Sequence, residues 1–132
     1  MDRSAIVIVG ESVVAAIFMS SLFLPAFLFA DQKPVPGGQL LLWGWWGVLM
    51  YNAGWLANPL LIGSVVQVLL KREPRILSTA ALACALHSFA VKEYFFNEAS
   101  GTPIQGFGSA VYVWLTAIAC QCLLTWILPR FS

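Results

Sequence analysis

The sequence predicts an all-α integral membrane protein, a compact bundle of four transmembrane helices of which the second is long and kinked or broken near Asn58-Pro59. Three observations carry this expectation. Of the 132 residues, 60% are hydrophobic and 10% charged, with a mean hydropathy of +0.82; a soluble domain carries roughly 25% charged residues and 45 to 50% apolar ones. A chain this small buries too little of its surface to hide so much apolar side chain in a core of its own, so lipid is its solvent. The apolar residues also gather into runs of the length, about 20 residues, that a helix needs to cross the hydrocarbon, divided by charges or by Pro and Gly.

The first run covers residues 5–30 and contains a single charge, Glu11, with Pro25 near its far end. A signal peptide has an apolar core of about 7 to 15 residues with no carboxylate in it, so this longer run is read as a span. The second run, residues 39–70, follows the punctuation Pro34, Pro36, Gly37, Gly38 and holds no charged residue. As one helix it would be about 48 Å long, well over the roughly 30 Å of hydrocarbon, yet two spans and a turn need more residues. A break is therefore expected inside it. Asn58 is placed to cap a helix beginning at Pro59, where a missing N–H costs nothing, and the chain should kink or unwind between Asn52 and Pro59. One of those asparagines should turn inward, towards the first and third segments. Trp43, Trp45 and Trp46, with Trp55 beyond, read as interfacial anchors.

The third segment covers residues 76–96, is rich in Ala, and carries His87 near its middle and Lys92-Glu93 near its end. A short polar loop with Gly101, Pro103 and Gly106 as breakers separates it from the fourth, residues 107–128. The whole chain reads as one transmembrane domain. With the amino terminus in the cytoplasm, Arg3, Lys71, Arg72, Arg75 and Arg130 lie inside and only Lys33 and Lys92 outside. The positive-inside rule then puts both termini on the cytoplasmic side of a bacterial inner membrane; a five-span chain split at Asn58-Pro59 is the rival.

Ionisable groups inside hydrocarbon cost several kcal/mol and persist when paired or useful. Glu11, roughly 9 Å in from the inner boundary on a 1.5 Å rise per residue, comes near the depth of Gln67 and Gln121, with His87 about a turn further out. These four form the candidate polar cluster, as a proton or cation site or as hydrogen-bonded glue between helices. Small residues at spacing four, Ser12-Ala16-Ser20, Ala80-Cys84-Ser88 and Ala117-Gln121-Thr125, mark faces on which helices could approach closely. Cys120-x-Cys122 lacks the spacing of a dithiol redox centre, and three cysteines do not make a disulfide framework. A single His excludes haem held between two histidines. No phosphate loop, paired-His zinc motif or nucleophile elbow is present, so no catalytic residue, cofactor or metal is expected. A net charge of +1 leaves no basic surface for nucleic acid.

The expected partners are the lipid bilayer and another membrane protein or a second copy of the chain. The leading functional expectation is an accessory or assembly subunit of a membrane complex, or the protomer of a homo-oligomer, and not an enzyme. The rivals are a protomer of a proton, ion or small-solute pathway using Glu11 and His87, and an immunity or defence protein that engages a pore-forming partner.

Overall fold

The computed structural model describes residues 3–30, 33–43, 54–90, 93–94 and 102–128. The chain is mostly helical. Helix α1 is Arg3–Ser21, followed by strands β1 (Pro25–Leu28) and β2 (Val35–Pro36) and a short helix α2 (Gly37–Trp43). A 3₁₀ turn, Gly54–Leu56, leads directly into α3 (Ala57–Leu69); α4 (Arg75–His87) ends in another, Ser88–Ala90. Strands β3 (Glu93–Tyr94), β4 (Thr102–Pro103) and β5 (Gly106–Phe107) precede α5 (Ser109–Ile127). Two helices, α1 and α5, are long and apolar enough to cross a membrane, whereas Gly54–Leu69 and Arg75–Ala90 are shorter apolar helices.

The first expected span is corrected at its far end. Helix α1 stops at Ser21, because Pro25 has no N–H to continue the ladder and its ring would meet the carbonyl one turn back. The chain instead enters β1 with the proline at its first position, where a strand tolerates it. Strand β1 is the middle of an antiparallel sheet in the order β2-β1-β5, with Phe27 opposite both Val35 and Phe107. A second antiparallel pair joins β3 to β4, so the expected polar loop before the last helix contains strands. The third segment is likewise helical only as far as Ala90, while α5 matches its expected run to within two residues.

The second segment is also corrected. The Trp55 indole Nε1 donates to the Leu41 carbonyl at 3.0 Å, whereas fourteen residues of continuous helix would separate them by about 21 Å. The segment is therefore not one continuous helix: among the described residues it comprises α2 and the 3₁₀ turn leading into α3, and that turn falls inside the stretch where a break is expected. Asn58 is not a cap and Pro59 does not begin the helix: both lie in the first turn of α3, where Pro59's missing N–H has no intrahelical acceptor to lose.

Helix α5 packs against the other three long helices. It runs antiparallel to α1 and α4 and parallel to α3, as the pairs Val14 with Ile118, Ser78 with Thr125 and Asn58 with Trp114 require. Two apolar layers cross the bundle, Val7, Val68, Leu124 and Leu128 at one end and Val14, Leu61, Ala81, Ala85 and Ile118 further along. A third, Ala26, Ala110 and Val111, joins β1 to the start of α5 and is flanked by Phe89 and Phe107 at 5.2 Å between ring centres. Gly108 seats α5 against β1: a Cβ there would overlap the Pro25 carbonyl, and its N–H donates to the Ala26 carbonyl.

Candidate functional site

Between the first two apolar layers lies a layer of polar side chains. Glu11 of α1 is 8% exposed, and Ser64 of α3, Ser78 of α4, and Gln121 and Thr125 of α5 are essentially inaccessible. Each occupies the inward position that helical spacing dictates. Glu11 falls between Val7 and Val14, Ser64 between Leu61 and Val68, and Gln121 between Ile118 and Leu124, at steps of three or four residues.

Two hydrogen-bonded strings run through the layer. In one, the Gln121 amide Nε2 donates to Ser64 Oγ at 3.0 Å, and Ser64 Oγ donates to the Pro74 carbonyl at 3.4 Å. In the other, the Ser78 and Thr125 hydroxyls lie 2.7 Å apart and the Arg75 guanidinium closes the end of α5. Its Nε donates to the Thr125 carbonyl at 3.3 Å and its terminal nitrogen to the Leu128 carbonyl at 3.4 Å, with its Cζ over the Trp126 ring, 5.1 Å from the ring centre. A cation at a helix C-terminus satisfies carbonyls that have no intrahelical donor and complements the helix dipole. Glu73 does the converse at the start of α4, accepting from the Arg75 backbone N–H at 3.1 Å.

The Glu11 carboxyl sits beside the Gln121 side chain. Neither carboxyl oxygen receives a hydrogen bond among the described residues, and the same holds for Gln121 Oε1 and Gln67 Oε1. Buried acceptors without donors are uncommon, because desolvation costs about 1 to 3 kcal/mol each and more for a charged group. Helices α3 and α5 carry no charged residue, and the ion pair formed among the described residues, Arg75 with Glu73, lies outside this place.

The four expected cluster residues therefore separate. Glu11 and Gln121 meet. Gln67 lies one turn past Ser64 on α3, its amide oxygen buried. His87 does not join them: it is exposed at the last residue of α4, nine residues and roughly 13 Å along the helix from Ser78. Asn58 is buried and turns inward, but towards α5, accepting from the Trp114 indole Nε1 at 2.8 Å. Asn52, Trp45 and Trp46 lie outside the described residues, as does the side chain of Trp43. Trp55 is half-buried and ties the 3₁₀ turn to α2.

Sequence reasoning missed Ser64, Ser78 and Arg75. Serine is read as neutral in a helix, and only the interleaving of Ser64 with Leu61 and Val68 marked it as inward. The stripe Ser12-Ala16-Ser20 faces outward, because the buried side of α1 is Val7, Glu11, Val14 and Ser21. Ala117, Gln121 and Thr125 do form a buried face. The three cysteines are free and half-buried, and no group of His, Cys, Asp and Glu among the described residues is arranged to hold a metal ion. No protein-family model matches the chain, and no curated protein and no solved structure is significantly similar to it.

Proposed function

We propose that the chain is a four-pass protein of a bacterial cytoplasmic membrane, both termini inside, that works through helix contacts as an accessory or assembly subunit of a membrane complex or as the protomer of a homo-oligomer. The observation that carries the reading is that large apolar side chains stand on the outside of the bundle while a polar layer is enclosed between its apolar ones. Ile8, Val9 and Val13 of α1, Ile62 of α3, Ile76 of α4 and Ile127 of α5 stand on the outside, while Glu11, Ser64, Ser78, Gln121 and Thr125 are enclosed. Helices in lipid gain nothing from hiding leucine and associate through close packing and interhelical hydrogen bonds; this bundle is joined in that way. The up-and-down alternation of α1, α3, α4 and α5 supports a four-pass reading, in which the basic α3–α4 turn falls on the same side as the start of α1.

The test is topological. In a variant lacking Cys84, Cys120 and Cys122, cysteine at Ser132 or Glu73 should react with a membrane-impermeant thiol reagent only after the cell is opened. Ser100→Cys should react in intact cells. Labelling of position 132 from outside overturns the four-pass reading, and the native mass of the assembly extracted from its membrane separates hetero-complex, ring and lone protomer.

A further inference from the structure

We infer that Glu11 and Gln121 form a proton-binding site inside the bundle, in which the protonated Glu11 carboxyl donates to Gln121 Oε1. Both Glu11 oxygens and Gln121 Oε1 are buried without a hydrogen-bond partner among the described residues, and the Gln121 side chain lies against the carboxyl. Both side chains are more than nine-tenths buried, at 8% and 0% exposure. Gln121 Nε2 is directed at Ser64 Oγ, 3.0 Å away, and Oε1 is the Gln121 atom left without a partner. A proton on Glu11 resolves the conflict at once. It removes the uncompensated charge and makes one O–H···O bond, the kind of charge-free pairing that low-dielectric surroundings favour.

With that proton the donors run in one direction. Glu11 O–H donates to Gln121 Oε1, Gln121 Nε2 to Ser64 Oγ, and Ser64 O–H to the Pro74 carbonyl. Three helices and the turn before α4 then share a single polar string that begins at the proton. A metal ion fits less well, since a hard divalent cation takes six or more oxygens and three free acceptors are offered here. Among the described residues, α3 and α5 carry no charged side chain, and on α4 Arg75 is engaged with Thr125, Leu128 and Glu73. The site lies within the bundle, so it stands or falls separately from the number of membrane crossings.

Dicyclohexylcarbodiimide, an apolar reagent that adds to protonated carboxyls, provides the probe. The full chain is treated in its membrane over a range of pH and the adduct located by mass spectrometry of its peptides. The expected result is an adduct on Glu11 that forms in acid, declines several-fold as the medium is made alkaline, is indifferent to sodium ions at fixed pH and is absent from Glu11→Gln. No adduct on Glu11 at any pH, an adduct whose yield ignores pH, or protection by sodium at constant pH each overturns the proposal, the last by identifying an alkali-ion site. The wild-type peptide map decides the matter even where Glu11→Gln does not fold.

Discussion

Replacing Asn58 by Leu keeps the branching and heavy-atom count of the side chain and removes the acceptor of the Trp114 indole N–H, a bond of 2.8 Å spanning 56 residues of sequence. The bond ties the first turn of α3 to α5 at the end of the bundle away from the Glu11 layer. The half-buried indole N–H then loses the acceptor it has in Asn58, so the substitution should cost at least what the bond itself contributes. Interhelical hydrogen bonds in membrane proteins contribute about 0.6 to 2 kcal/mol, and stranding a buried donor costs about 1 to 3 kcal/mol. For a chain of this length each kcal/mol moves the melting temperature by roughly 4 °C, so a cost of about 1 to 3 kcal/mol means that Asn58→Leu should melt about 4 to 12 °C lower in detergent. Trp114→Phe should also be destabilised, by the lost bond and the lost ring area. The double variant should be less destabilised than the sum, with a coupling of about 0.6 to 2 kcal/mol, because neither partner is then stranded. Strictly additive single effects would refute the inward placement of Asn58 and with it the registration of α3 on α5.

Three further outcomes follow from named contacts. Gly108→Ala should lower the melting temperature by an amount corresponding to about 1 to 3 kcal/mol, because the new Cβ meets the Pro25 backbone and cannot be accommodated by a rotamer change; Gly63→Ala, whose Cβ would touch only the Leu77 side-chain tip at 3.1 Å, is the tolerant control. Lys71→Gly should raise it by the equivalent of about 0.5 to 1 kcal/mol. Lys71 holds the left-handed conformation at φ 57° in a turn where Arg72 N–H donates to Gln67 and Lys71 N–H to Val68, a helix ending that glycine fits without strain. Arg75→Lys should destabilise by about 1 kcal/mol in spite of the retained charge, since an ammonium cannot reach the Thr125 and Leu128 carbonyls together or stack on Trp126; equal melting of Arg75→Lys and wild type would show that charge alone matters.

The sequence by itself determined that the chain is mostly helical and apolar on its exterior, and it located α5 to within two residues, because hydropathy depends on composition over a window and needs no knowledge of neighbours. It also pointed to Glu11 and Gln121, since a carboxyl and an amide inside apolar runs stand out wherever they fold. What it could not determine is which way each residue faces and what it meets. The outward turn of Ser12, Ala16 and Ser20 and the inward turn of Glu11 differ by a rotation of α1, set by the packing of Val7 and Val14 on α5. The exposure of His87 follows from where α4 ends, and the return of Trp55 to Leu41 depends on a bond between residues fourteen apart. Strand β1 needed partners from residues 35 and 107 before extended backbone at Pro25–Leu28 could satisfy its polar groups. Long-range pairings of this kind have no local signature, so the polar layer that joins α1, α3, α4 and α5 was decided by tertiary structure.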